Sequence, residues 1–299
     1  MTSLVYFGTH EFSTVILETL INSGEFEIKL VVTQPDRPVG RKKEMKASPI
    51  KILAQKHNLP IAQPDTLKNF IINDSVDFNI VCQYGLLIPK KIIESPKHGS
   101  INVHTSLLPK YRGASPIQSA LINGEKETGT TIMLMDELLD HGPILSQEKI
   151  TIYPDETYQT LSDRMSKISA KLLIDTLDAY LKKEITPRIQ NHDEATFCKE
   201  LSRDNGKIDW SKSATEIYNL YRGLTPWPGI WTQWKDKRLK LLAIKPSQEI
   251  HEVGKIKASQ GKLYFGCGSN SSIEVTLIQA EGKKVMNAKE FINGFGKLI

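Results

Sequence analysis

The sequence predicts an α/β chain: a mostly parallel sheet with helices on both faces, followed by a small β-barrel. Three observations carry this. Short β-prone runs alternate with apolar residues at helical spacing through the first part of the chain. Toward the end, β-prone runs recur without helices between them, roughly every ten residues. The length of 299 residues exceeds what one core usually fills, so two domains are expected.

SLVYF at 3–7 is a β-prone run that stops at Gly8, and Phe12, Val15, Ile16 and Leu20 then recur as one face of a helix. IKLVV at 28–32 repeats the strand, and a helix follows from Pro49 to His57. DFNIVC at 77–82, a short helix near Pro89–Glu94, and SINVH at 100–104 continue the alternation. TTIMLM at 130–135 and ILSQEKI at 144–150 read as two more strands, before a long helix from Glu156 to about Lys183 bearing Leu161, Met165, Leu172, Leu173 and Leu177. The first domain is expected to span 1–188, a polar linker 189–207 and the second domain 208–299. In the last, IWTQW, RLKLLAI, GKIKA, KLYFG and IEVTLIQA supply the barrel strands.

Charge and composition exclude several classes. The chain has 39 basic against 34 acidic side chains and 39% hydrophobic residues, an ordinary globular balance. No apolar run reaches membrane-spanning length, and the start lacks the pattern of a signal peptide, so a cytoplasmic location and no membrane partner are expected. Cys82, Cys198 and Cys267 are isolated from one another, which supports neither a disulfide framework nor a zinc site. The first turn has one glycine where a dinucleotide fingerprint has three, and no Gly-Lys-Ser/Thr occurs, so dinucleotide binding and nucleotide hydrolysis are disfavoured. Residues 208–299 carry 14 Lys and Arg against 8 Asp and Glu, and four of the six residues 41–46 are cationic. Both are suited to a polyanion. Pro35, Pro38, Gly40 and Pro49 make the 37–46 cluster an expected exposed loop.

The residues that point to chemistry lie at the end of the 100–104 run. Asn102 and His104 are two apart, so a strand puts both side chains on one face, at its carboxyl end. Asp140, from the Asp136–Pro143 loop, can face them. A carboxylate beside an imidazole orients it, and an Asn amide is a fixed donor for the oxyanion of an acyl transfer. No Gly-x-Ser-x-Gly occurs, so the substrate has to supply the nucleophile. His98, His104, Asp136, Asp140 and His141 are close in sequence but lack the spacing of a metal site, and no metal is expected.

The run Asn102-Val103-His104-Thr105-Ser106-Leu107-Leu108-Pro109-Lys110-Tyr111-Arg112-Gly113-Ala114-Ser115-Pro116-Ile117-Gln118 resembles the signature of the folate-dependent formyltransferases. The flanking motifs Phe7-Gly8-Thr9, Thr33 to Arg41, Ser48-Pro49-Ile50-Lys51, Tyr84 to Pro89, Ile208-Asp209-Trp210, Pro226-Trp227-Pro228-Gly229 and Glu281 to Met286 resemble the branch that formylates methionyl-tRNA. The resemblance covers nearly the whole chain. It implies a Rossmann-like first domain (the formyltransferase fold), an OB-like barrel, 10-formyltetrahydrofolate as formyl donor, methionyl-initiator tRNA as acceptor and a monomer. It also implies Asn102, His104 and Asp140 as the catalytic trio. Folate contacts are implied for Ser106, Leu107, Leu108, Pro109, Leu86 and Ile88, and tRNA contacts for Arg41, Lys42, Lys43 and Lys46. An amino-sugar formyltransferase or a formyltetrahydrofolate hydrolase would share the trio, whereas a non-catalytic RNA-binding protein would not need it.

The chain departs from the family pattern at His10, at Lys42, and in Leu138-Leu139-Asp140-His141-Gly142, where the usual loop is Gly-Leu-Asp-Thr-Gly. Leu138 in place of Gly brings the backbone just before Asp140 into question, because Gly often marks a positive φ. Pro226-Trp227-Pro228 reads as a structural corner rather than a stacking platform.

Overall fold

The computed structural model describes residues 1–39 and 44–296. These group into two compact units. The first comprises residues 1–116, 127–151 and 162–198, and the second 117–126, 152–161 and 199–299.

The first unit is built on a seven-stranded sheet. Its strands are β1 (Thr2–Gly8), β2 (Phe26–Val32), β3 (Ile61–Ala62), β4 (Phe78–Cys82), β5 (Ser100–His104), β6 (Glu127–Leu134) and β7 (Ile144–Thr151). Their order is β7-β6-β5-β4-β1-β2-β3, with the five strands from β5 to β3 mutually parallel. Buried on both faces, the central strands are near-continuous apolar runs rather than alternating ones, as Leu4 to Phe7 and Phe78 to Cys82 show, the latter broken by Asn79, whose buried amide donates to the Ile92 carbonyl. The helix after β1, α1 (Glu11–Ser23), buries Phe12, Ile16, Leu17 and Leu20 and ends at Gly24 in the left-handed conformation. The second, α2 (Pro49–Lys56), starts with Pro at its first position. The Ser48 hydroxyl accepts from the Lys51 N–H at 3.0 Å, so the Ser-Pro-x-Lys motif is an N-cap.

Strand β6 runs antiparallel to both of its neighbours, β5 and β7, a reversal that the alternating rhythm does not reveal. Leu134 pairs with Ile101, so β6 ends beside the amino-terminal part of β5, and the 135–143 loop starts there.

The 37–46 cluster, expected as a loop, is bordered by a two-stranded ribbon: Arg37–Val39 pairs antiparallel with Glu44–Lys46. Pro38 is tolerated because a ribbon of two edge strands leaves half of its N–H groups unpaired. The base of the ribbon is tied down by Asp36, which takes Lys51 Nζ at 2.7 Å and Gln63 Nε2 at 2.8 Å. These two donors, Gln63 foremost, hold the Asp36 carboxyl below its ordinary range. Arg41, Lys42 and Lys43 lie outside the described residues, and Lys46 is exposed on the ribbon.

The second unit carries antiparallel strands at 230–234, 237–247, 256–259, 262–267 and 271–280, with the order 230–234, 237–247, 271–280, 262–267, 256–259. Among the described residues this ladder is open between its first and last strands. The sheet encloses Leu239, Leu241, Leu263, Phe265, Ile273, Val275 and Ile278. Two helices absent from the sequence reading cover it, Ala214–Leu224 and Ala288–Phe295, each begun by a capping box, Ser213 with Glu216 and Asn287 with Glu290. Arg222 explains why 152–161 joins this unit, since its guanidinium donates to the Tyr153 and Glu156 carbonyls. Gly223 explains 117–126, since a Cβ there would stand 2.6 Å from Ile122 Cγ1.

The contact grouping differs from the expected 1–188 and 208–299 boundaries for the same reason: segments 189–198, 117–126 and 152–161 side with whichever core they touch. Phe265 is buried and stacks on Trp210 at 5.0 Å. Phe265→Ala is expected to remove about 3–5 kcal/mol from the second unit, read as a lowered urea midpoint for that unit's transition.

Candidate active site

Strand β5 fixes two side chains. Its neighbours are Val81 and Met133 at Asn102 and Thr131 at His104, so the backbone is hydrogen-bonded on both sides and Asn102 and His104 share a face. Because β6 is antiparallel, the loop after it comes from the opposite end of β5 and folds back along that face until Asp140 reaches both residues.

The Asp140 carboxylate gathers three nitrogens. Oδ1 accepts from Asn102 Nδ2 at 3.2 Å and lies 3.5 Å from His104 Nδ1, while Oδ2 accepts from the Gly113 N–H at 2.8 Å. The His104 and Asp140 side chains are only 6% and 11% exposed, so these contacts are shielded from water. A carboxylate only accepts, which fixes the Asn102 amide with Nδ2 toward Asp140. His104 Nε2 lies 3.0 Å from the Tyr111 carbonyl and must donate to it, so both ring nitrogens face oxygens.

Asp140 itself is the residue with positive φ, at 48°, whereas Leu138 is not in that region. The concern over Leu138 is thus resolved: its N–H donates to Asp136 Oδ1 at 2.9 Å in an Asx turn, and its side chain is exposed. The left-handed residue is an Asp, which tolerates that conformation better than a bulky side chain. Glycine is required two residues later, where a Cβ on Gly142 would lie 2.0 Å from the Leu134 carbonyl oxygen. Gly113, at φ 118°, is likewise pressed against the Cys198 carbonyl.

Several partners had no signal in the sequence reading. Arg112–Gly113 pairs in parallel with Phe197–Cys198, inside the stretch expected as linker. From the same stretch, Gln190 donates to the Asp140 and Gly142 carbonyls at 2.9 and 2.8 Å. Its oxygen accepts from Arg112 at 2.6 and 3.2 Å. Arg112 also donates to His192 Nδ1 at 2.8 Å, and His192 stacks on His141 with centroids 4.0 Å apart. Gly113, Arg112 and Tyr111 lie in the signature run. Gln190 and His192 belong to no motif.

The segment after His104 is pinned from below. Thr131 Oγ1 donates to the Ser106 carbonyl at 2.7 Å and accepts from the Leu108 N–H, and Gln147 Nε2 donates to the Leu108 carbonyl at 2.9 Å. Ser106 is buried with its hydroxyl on the Lys110 carbonyl, and Leu108 packs on Met133 and Ile144. Leu107 and Pro109 are half-buried. Leu86 and Ile88 sit elsewhere, in an apolar cluster with Ile93 and Met135. Ile93 and Met135 line a cavity of about 400 Å³ with Lys90, Glu94, Asp136, Glu137 and Leu138, bounded by the loop that carries Asp140. Of the residues weighed for a metal, His98 packs against the Phe78 ring instead.

The whole chain can now be placed. A formyl transferase model matches residues 2–177 and a formyl transferase C-terminal domain model matches 200–296. The chain belongs to the formyl transferase family. It is 47% identical over 296 residues to the methionyl-tRNA formyltransferase of Thermodesulfovibrio yellowstonii, covering 97% of this chain and 95% of that one. It is 40% identical to the methionyl-tRNA formyltransferase of Enterococcus faecalis, covering 100% and 98%. Among solved structures it resembles an N-formyltransferase from Helicobacter canadensis in complex with folinic acid and dTDP-3-aminofucose, with TM-score 0.69, 18% identity and coverage of 92% and 99%. It also resembles the methionyl-tRNA formyltransferase from Clostridium thermocellum, with TM-score 0.57, 19% identity and the same coverages.

Partial desolvation, then His141 and Arg112, lower the His192 pKa below the ordinary 6.5. A neutral imidazole is also what the Arg112 hydrogen bond requires. With a folded value below the unfolded one, the contribution to stability is complete above pH 6.5 and declines as pH falls from there through the folded value. Following the His192 ring protons by NMR is expected to give a midpoint below 6.5, and His192→Ala is expected to flatten the acid limb of the stability profile.

Proposed function

We propose that the chain transfers the formyl group of 10-formyltetrahydrofolate to the α-amine of methionine esterified to initiator tRNA, giving N-formylmethionyl-tRNA. The observation that carries the chemistry is the Asp140 carboxylate in contact with both Asn102 and His104. The acceptor is supported by two relatives of that name, aligned over nearly their full length. The higher TM-score of the amino-sugar enzyme concerns the fold alone.

Asn102 Nδ2 has two hydrogens, one of which is held by Asp140. The other is a donor for the oxyanion formed when the amine adds to the formyl carbon, and the His104 imidazole joins it when its Nε2–H turns from the Tyr111 carbonyl to the ligand. Such donors act most strongly where they are preorganised and shielded, as these are. The surplus proton of the attacking amine passes to Asp140, directly or through water, and from there toward the departing N10. The nucleophile is the substrate's own amine.

The folate lies along Leu86, Ile88 and the 106–109 segment, with its ring system in the cavity of about 400 Å³. That volume suits a bicyclic ring, and its lining mixes apolar side chains with acceptors for ring N–H groups. Buried Ser106 and Leu108 then act by shaping the loop, leaving Leu107 and Pro109 to face the ligand. Arg41, Lys42, Lys43 and Lys46 meet the tRNA backbone, together with exposed lysines of the second unit such as Lys235, Lys237, Lys255 and Lys257.

The test is formyl transfer by purified protein to methionine-charged initiator tRNA, to elongator tRNA, and with no acceptor. Transfer confined to the initiator supports the proposal, and formate release without acceptor points to hydrolysis instead. Asn102→Ala and Asp140→Ala are each expected to lower turnover by about two to three powers of ten. Arg41→Ala is expected to raise the apparent KM for tRNA, with a shallower salt dependence and unchanged folate affinity.

A further inference from the structure

We propose that Gln190 is a positioning residue for Asp140, fixing the left-handed backbone on which the carboxylate is mounted. This rests on the reading of Asp140 as the carboxylate of the trio. A non-glycine residue at positive φ persists only where its surroundings hold it there. Here Asn102, His104 and Gly113 hold its carboxylate, and Gln190 holds its carbonyl.

Its amide works on both sides. Nε2 donates to the carbonyls of Asp140 and Gly142, bracketing His141 at 2.9 and 2.8 Å. Oε1 accepts twice from the Arg112 guanidinium. Carbonyls only accept and a guanidinium only donates, so the orientation of the amide is unambiguous. Gln190 and Arg112 are each 4% exposed, which makes an unmade bond at this position expensive. Glu has the length but cannot donate to the two carbonyls, and Asn is one methylene short.

A second contact steadies the same turn. Arg112 Nη2 also donates to His192 Nδ1, and the His192 ring lies 4.0 Å from His141, with 3° between the ring planes. His141 Nδ1 in turn meets Asp136 Oδ2 at 2.6 Å. The 190–192 segment thus grips the turn by its carbonyls and by the ring between them. His141 stands where the family pattern has Thr, so the ring stack belongs to this sequence while the amide clamp does not depend on it.

The experiment compares wild type with Gln190→Glu, which keeps an acceptor for Arg112 and removes the donor to the loop. The readouts are kcat and both KM values for formyl transfer to methionyl-tRNA, the thermal midpoint, and hydrogen exchange at the Gly113 amide, whose proton sits on Asp140 Oδ2. The expected result is a fall in kcat of about a hundredfold, KM values within about threefold, a lowered midpoint with the fold retained, and faster Gly113 exchange. Wild-type kcat with wild-type Gly113 protection overturns the proposal, as does a loss confined to KM. Should Gln190→Glu not fold, His192→Ala, an exposed site, is the second arm. It is expected to speed Gly113 exchange and lower kcat to a smaller extent, and no change in either overturns the role of the segment. If wild type itself transfers no formyl group, the functional reading fails, and Gly113 exchange still decides whether Gln190 positions Asp140.

Discussion

One carboxylate organises the candidate active site. Asp140 faces three nitrogens from two separate pieces of chain, and each meets an oxygen that can only accept. The contact with Asn102 orients an amide whose two ends differ by little but polarity. The contact with His104 sets one side of the imidazole, and Tyr111 sets the other. Remove the carboxylate and the Asn102 amide loses this orienting acceptor, while His104 keeps only its contact with Tyr111. The Gly113 N–H ties the signature run back to the same atom pair, so the strand, the run after it and the loop are referenced to one another through a single side chain.

The surrounding fold serves to bring that side chain to the strand. A parallel β6 would have placed its following loop at the carboxyl end of β5. The antiparallel β6 sends the loop from the other end, so it must lie along the sheet, and a loop lying that close leaves no space for a Cβ where it crosses the Leu134 carbonyl. Glycine at 142 follows from the strand direction. So does the left-handed turn at 140, since the loop has to reverse before β7 begins at Ile144.

The strands and longer helices were legible because their apolar residues repeat with period two or 3.6. Strand direction was not, since periodicity is the same for a parallel and an antiparallel neighbour. The helices at 214–224 and 288–295 were announced by Ser213-x-x-Glu216 and Asn287-x-x-Glu290, signals that went unused among the β-prone runs around them. Asn102, His104 and Asp140 could be singled out from residue type and placement. Gln190 could not: a polar residue in an irregular polar stretch has no pattern, and its significance arises only when the chain returns it to Arg112. Leu138 shows the converse, a departure in sequence at a position that does not need glycine, since the left-handed residue of the loop is Asp140.

The proposed function puts chemistry and recognition on different elements. The trio sits on β5 and the 135–143 loop, both buried and rigidly bonded, where a donor is worth most to a developing charge. Among the described residues, exposed cations include Arg37 and Lys46 on the ribbon and, within the second unit, Lys235, Lys237, Lys255 and Lys257; on the proposed function these meet the tRNA backbone. Arg238 covers the Trp231 ring, its centroid 4.2 Å away, and Lys235 lies over the Trp234 ring at 5.2 Å, so part of this charge is held on local aromatic faces. Binding made remote from the reacting atoms changes how often the substrate is engaged. Contacts made only as charge develops change how fast it reacts. On the proposed function the two separate in the kinetics: substitutions in the trio lower kcat, and substitutions among the exposed cations raise the KM for tRNA.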